Sequence, residues 1–209
     1  MRTRVKMCGF TRAEDALYAA GLGVDAVGLV FYPASPRFVE INMAAQIARA
    51  LPAFVSVVAL FVDAEWALIN EVLLQVRVDC LQFHGHEPPE SCRIYNKPYI
   101  KALRMHEGVD LAAQQTAYAD ACGLLLDAYH PGVPGGTGAV FDWELIPKIN
   151  RLPIILAGGL TPENAERAIR KVNPYALDVS SGVEAAKGIK DPEKMTAFIR
   201  ITNQAIRNL

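Results

Sequence analysis

A cysteine, an arginine, a histidine and an aspartate each stand at or just past the end of an apolar run. Cys8 lies in R-V-K-M-C-G-F-T, residues 4–11, directly before Gly9. Strand side chains alternate faces, so Lys6 shares the side of Cys8. A thiol beside an ammonium is a candidate base or nucleophile, because the cation favours the thiolate. A cysteine in an apolar setting is more often plain packing, so Cys8 alone supports both readings. Arg37 sits in Y-P-A-S-P-R-F-V, residues 32–39, a loop stiffened by Pro33 and Pro36. Its planar fork of donors suits a carboxylate or a phosphate, although a solvated surface arginine would look the same. His84 shares a strand face with Gln82 in C-L-Q-F-H-G, residues 80–85, which suggests a lined cavity. A histidine satisfied by a core hydrogen bond is the alternative. Asp127 closes the apolar run G-L-L-L-D-A, residues 123–128. Desolvation there favours the neutral carboxyl, which could act as an acid near neutral pH. Anchoring a loop is the competing role.

Two further turns suit an anion. They are A-G-G-L-T, residues 157–161, and S-S-G-V-E, residues 180–184. Gly158 and Gly159 leave backbone N–H groups open. Ser180, Ser181 and Gly182 would start a short helix whose first amides point at a phosphate. Tight turns that need glycine are the ordinary explanation. Two of them on adjacent strands of a barrel favour phosphate.

These residues need strands to present them. Apolar runs over residues 4–8, 26–31, 56–62, 80–85, 99–104, 123–128, 153–159 and 176–179 read as strands buried on both faces. Helical patterns separate them. Thr11 with Glu14 forms a capping-box pattern, Asn42 and Asp63 stand as caps of the next two helices, and the helix near Glu90 is short. A helix spans 111–118, and another runs from Trp143 toward Ile149. Thr161-Pro162 opens the next. Asp191-Pro192 caps the last, with Met195, Phe198, Ile199 and Ile206 facing inward. About eight such alternations predict an α/β fold, a single-domain (β/α)8 barrel with a closed parallel sheet over residues 1–209. No G-x-G-x-x-G follows the first strand, which disfavours a dinucleotide fold. Barrels of this kind carry their chemistry at the C-terminal ends of the strands. Cys8, Arg37, His84, Asp127, Gly159 and Ser180 all fall there. The glycine-rich stretch 129–140 reads as a binding lid or a connection, and it lacks the G-K-[ST] ending of a Walker loop.

Composition narrows the function classes. A hydrophobic share of 52% and a charged share of 21% are those of a soluble globular chain. A net charge of -1 makes no electrostatic case for nucleic acid or an anionic membrane. No apolar run reaches a membrane span, and the first strand starts too early for a signal peptide. The four cysteines are scattered, which argues against structural zinc and for a reducing, cytoplasmic compartment. No structural metal is expected.

Read together, K-M-C-G-F-T, S-P-R-F-V, L-Q-F-H-G, K-A-L-R, L-L-L-D-A, G-G-T-G with F-D-W, L-A-G-G-L-T-P-E-N and L-D-V-S-S-G-V-E resemble the phosphoribosylanthranilate isomerase family of tryptophan biosynthesis. The resemblance runs the whole chain; Met7 and Phe83 depart from the usual Ile and Leu. It implies a cofactor-free Amadori rearrangement of N-(5-phosphoribosyl)anthranilate to 1-(2-carboxyphenylamino)-1-deoxyribulose 5-phosphate. It implies Asp127 as general acid, Cys8 as general base, and Arg37 as the holder of the anthranilate carboxylate. Such a pair requires a protonated acid and a deprotonated base at one pH. Lys6 is expected to favour the Cys8 thiolate, and Asp178, on a strand that adjoins the first in a closed barrel, to pair with Lys6. Two rivals remain. The histidine-pathway isomerase is similar, but it carries an aspartate where Cys8 stands and two half-barrel repeats. A non-catalytic phosphate-binding barrel would have no use for Cys8 and Asp127 together. The expected partner is a small phosphorylated substrate, and the expected state a monomer with no obligate protein partner.

Overall fold

The computed structural model describes residues 2–128 and 141–207; the expected lid at 129–140 and the Ile206 side chain lie outside the described residues. Eight strands pair in chain order, all parallel, and close into a barrel. They are β1 (Arg4–Cys8), β2 (Ala26–Val30), β3 (Ser56–Phe61), β4 (Cys80–Phe83), β5 (Tyr99–Met105), β6 (Gly123–Ala128), β7 (Ile154–Leu156) and β8 (Ala176–Val179). Closure is made by β8 against β1, with Lys6 in register with Asp178. The helices are α1 (Ala13–Gly21), α2 (Ile41–Ala50), α3 (Trp66–Gln75), α4 (Pro89–Cys92), α5 (Leu111–Ala117), α6 (Pro162–Val172) and α7 (Pro192–Arg207). A small antiparallel hairpin, β9 (Glu184–Ala186) with β10 (Ile189–Lys190), follows β8. No helix among the described residues is long and apolar enough to cross a membrane.

The strands are apolar on both faces because each face meets a different core. Outward-facing Val5, Met7, Val27, Leu29, Leu81, Leu124 and Leu177 pack against the helices. Inward-facing Ile100, Ala102, Leu125, Ile155, Ala157 and Ala176 fill the barrel. Asp127 follows Leu125 by two on β6, so the same alternation turns its carboxyl to the inner side at the strand's end.

Several helix starts differ from the sequence expectation. Thr11 does not cap α1; its hydroxyl donates to the Gly188 carbonyl at 2.6 Å, and the helix begins one turn-step later behind Arg12. Asn42 lies inside α2, whose cap position is Glu40. Asp63 has φ 47 and its carboxylate accepts from the His86 N–H, so α3 starts only at Trp66. In two of the three, the polar side chain was claimed by a distant segment. The helix expected toward Ile149 is a single 3-10 turn, Trp143–Leu145. Pro147 forces Ile146 into extended backbone, which stops it there. The Thr161 cap holds, completed by Asn164 as a capping box with Pro162 in the first turn.

Candidate active site

One cavity opens at the C-terminal ends of the strands. Cys8, Arg37, His84, Asp127, Gly158, Gly159, Ser180 and Ser181 all line it, together with Gln82 and Asp178. Gly182 does not. Its place is set by packing, since a Cβ there would lie 1.9 Å from the Leu160 carbonyl.

Cys8 ends β1 and is 5% exposed. Gly28 on β2 makes its space, because a Cβ at that position would sit 2.5 Å from the thiol sulfur. Lys6 projects to the same side, and its Nζ meets Asp178 Oδ1 at 2.9 Å, the pairing expected from strand adjacency. Burial works against the Lys6 charge, but Asp178 and then Cys8 outweigh it, and its proton is held above the ordinary lysine range. Lys6 does favour the Cys8 thiolate, as expected, but it is not the largest influence on the thiol. Burial, with Asp178 adding to it, pushes the Cys8 thiol up, and Lys6, followed by Lys190, offsets this only in part. Sequence spacing shows the cation but not the depth of the pocket, and here desolvation wins.

Arg37 lies with its side chain over Gly9, whose φ of +83 and lack of a Cβ admit it. The Nε and Nη2 edge of the guanidinium grips both oxygens of Glu184 at 2.8 Å each. That edge of the fork is therefore occupied within the protein. The N–H groups that Glu184 does not take remain available to an anion.

His84 links two groups. Its Nδ1 is 3.0 Å from Gln82 Nε2 and its Nε2 is 3.1 Å from Asp127 Oδ2. Both ring nitrogens are used inside the protein, so His84 holds Asp127 rather than presenting a free ring to a ligand. Asp127 Oδ1 accepts from the Ala128 N–H at 2.8 Å, which leaves the carboxyl fixed at both ends.

The two turns beyond β7 and β8 stand side by side. Gly158 and Gly159 have φ of +77 and +64, and Gly158 backs onto the end of β6 so closely that a Cβ would meet the Ala128 nitrogen at 2.4 Å. Asn164 braces the first turn by donating to the Gly159 carbonyl at 2.8 Å. In the second, Ser180 Oγ donates to the Cys8 carbonyl at 2.9 Å, and a 3-10 turn, Ser181–Val183, takes the place of the expected helix.

Comparison with known proteins decides the family. Residues 5–201 match the family described as N-(5'-phosphoribosyl)anthranilate isomerase. The N-(5'-phosphoribosyl)anthranilate isomerase of Nitrosococcus oceani is 59% identical, covering 96% of this chain and 97% of its own. That of Pseudomonas aeruginosa is 56% identical over 94% and 93%. This chain belongs to the phosphoribosylanthranilate isomerase family. Among solved structures, the isomerase from Thermotoga maritima superposes with a TM-score of 0.89 at 41% identity, covering 97% of this chain and 99% of that one. A phosphoribosylanthranilate isomerase in complex with reduced 1-(o-carboxyphenylamino)-1-deoxyribulose 5-phosphate gives 0.85 at 40%, with the same coverage. The (β/α)8 barrel is thus shared with the family's solved members.

Two participants escaped the sequence reading. Glu184 stood in the quoted S-S-G-V-E, but its target, Arg37, is 147 residues away. Lys190 carried no signal at all, since nothing in G-I-K-D marks a buried lysine.

Proposed function

We propose that this isomerase converts N-(5-phosphoribosyl)anthranilate to 1-(2-carboxyphenylamino)-1-deoxyribulose 5-phosphate with Asp127 as general acid and Cys8 as general base. The observation that carries the assignment is that a carboxyl and a thiol share one cavity with a guanidinium and two open glycine turns. The substrate has the matching parts: a carboxylate, a sugar and a phosphate. Arg37 receives the carboxylate through the N–H groups that Glu184 leaves free. The Gly158–Gly159 and Ser180–Ser181 turns receive the phosphate. A structural relative named as a complex with the reduced product supports this choice of ligand.

The chemistry then needs one proton given and one taken. Asp127 protonates the ribose ring oxygen, the C1–O bond breaks, and the nitrogen lone pair forms a protonated imine. Cys8 as thiolate removes the C2 proton, and the C2–H electrons neutralise the imine to give an enolamine. Tautomerisation delivers the ketone. The positive imine beside Cys8 favours the thiolate that the empty pocket resists, so proton transfer is easiest when substrate is bound. His84 keeps the Asp127 carboxyl oriented toward the ring. Turnover of phosphoribosylanthranilate, read as loss of its fluorescence, tests the reading; purified enzyme without turnover would overturn it.

We further propose that residues 1–209 act as one catalytic domain, as a monomer and in the cytoplasm, where a thiol base stays reduced. A Thermotoga maritima relative at 38% identity is described as generated monomers of a dimeric phosphoribosylanthranilate isomerase. Sedimentation settles the state for this chain: a mass near 22.8 kDa supports a monomer, and twice that overturns it.

A further inference from the structure

The β9–β10 hairpin carries a buried ion network that the proposed chemistry leaves unused. Lys190 has a fully covered side chain. Its Nζ donates to the Cys8 carbonyl at 2.6 Å, to the Ser180 carbonyl at 3.2 Å and to Glu184 Oε1 at 3.0 Å. Glu184 Oε1 also accepts from Arg37 Nε, and its Oε2 from Arg37 Nη2. Buried ion pairs are poor stabilisers, because desolvation offsets most of their attraction, and apolar side chains would hold a hairpin as well. What an ion network adds is geometry. The two-point contact fixes the plane of the guanidinium, and the ammonium fixes the backbone that carries the thiol. The hairpin is itself tethered. Lys190 N–H donates to Asp15 Oδ2 at 3.0 Å, and Thr11 Oγ1 to the Gly188 carbonyl at 2.6 Å.

We propose that Glu184 and Lys190 are positioning residues that lock Arg37 and Cys8 into one rigid unit, holding the substrate's carboxylate in register with the proton to be removed. This rests on the assignment of Arg37 and Cys8 above. The unit also has an electrostatic side. The charges facing Cys8 are Lys6 on β1, Asp178 on β8, Lys190 on β10 and Arg37 from the β2–α2 loop, with Glu184 behind the last two and Asp127 and His84 across the cavity. Lys190 is among the cations that counter the burial of the thiol.

The test uses Glu184→Gln, Lys190→Met, Arg37→Ala and Cys8→Ala in the full-length enzyme, alone and in pairs. Glu184→Gln should raise KM about tenfold or more, the size of a lost charge-assisted contact. That penalty should vanish in the Arg37→Ala background, because Glu184 acts through Arg37. Lys190→Met should lower kcat more than it raises KM. It should also move the pH midpoint of Cys8 alkylation by iodoacetamide upward in the free enzyme. If Lys190→Met does not fold, the Glu184–Arg37 cycle decides the proposal. Additive effects of Glu184→Gln and Arg37→Ala on KM would overturn it, as would an unmoved alkylation midpoint in folded Lys190→Met. Wild-type kinetics in Arg37→Ala or Cys8→Ala would instead sink the underlying assignment, which keeps the two failures apart.

Discussion

Cys8 must lose a proton in a place that resists charge. Burial holds the thiol up, so the free enzyme should alkylate slowly at neutral pH and faster as pH rises, with a midpoint above the ordinary thiol value of about 8.5. A midpoint below that value would show that Lys6 and Lys190 outweigh burial. A product analogue should protect the thiol. Because activity needs the thiol deprotonated, the limb of the kcat/KM profile that rises with pH should disappear in Cys8→Ala, and the limb that falls should remain. Cys8→Ala and Asp127→Asn should each lower kcat by roughly 10²–10⁴-fold, the range of a lost general acid or base, with the fold retained. Cys8→Ser should be nearly as poor as Cys8→Ala, since an alcohol does not ionise here. Arg37→Ala should weaken binding by about 1.5–3 kcal/mol, the cost of a charge-assisted hydrogen bond, seen in KM. Wild-type kinetics in any of these would remove that residue from its role.

At the scale of elements, strand ends and the turns beyond them do the placing, and glycines decide how closely they approach. Gly28 on β2 gives Cys8 its room, and a Cβ there would also lie 3.0 Å from the Cys8 Cα, so the thiol has little freedom to move aside. Gly28→Ala should therefore lower kcat, by up to about 10²-fold for a displaced catalytic group, while KM changes little. Gly182 acts differently. Its added Cβ would strike the Leu160 backbone oxygen, which ties the β8 turn to the β7 turn. Gly182→Ala should destabilise the barrel by roughly 1–3 kcal/mol, an overpacking cost, measured by urea unfolding. A Gly182→Ala protein of native stability would mean the two turns are free to separate.

For the whole molecule, closure is the decisive event. β1 and β8 pair across 172 residues of chain, and the buried Lys6–Asp178 contact forms only when they do. Closure should make unfolding cooperative, so the fluorescence of Trp66 and Trp143 and the far-ultraviolet dichroism should fall together. Separate transitions would argue for two halves that fold alone. Acid should loosen the barrel partly through Glu184. Burial raises its affinity for a proton, but Arg37 and Lys190 outweigh that and hold it below the ordinary carboxylate range. A depressed folded-state value stabilises above the unfolded value and is lost as pH falls through the folded one. The stability gap between wild type and Glu184→Gln should accordingly shrink below about pH 4.5, the ordinary value for this side chain. A gap constant with pH would exclude this contribution.

Eight apolar runs alternating with helical patterns were enough to specify the barrel, because a strand buried on both faces has few other homes. The ends of those runs were enough to nominate Cys8, His84, Asp127, Gly158, Gly159, Ser180 and Ser181, since strand alternation and chain direction are local properties. The Lys6–Asp178 pairing was legible too, once β8 was placed beside β1. What local pattern could not supply was any quantity that depends on depth or on distant partners. The thiol was expected to be favoured as thiolate because sequence shows Lys6 but not the desolvation around it. Thr11 and Asp63 were read as caps because their true partners, Gly188 and His86, lie elsewhere in the chain. The tight approach of Gly182 to the Leu160 carbonyl could not be read from S-S-G-V-E, because the two turns meet only in the folded barrel. Arg37 was read as suited to a carboxylate or a phosphate, but that Glu184 holds one edge of its fork could not be seen across 147 residues. Lys190 was invisible, because burying an ammonium is possible only where folding brings it the carbonyls of Cys8 and Ser180 and the carboxylate of Glu184, and those donor–acceptor distances exist only in the closed barrel.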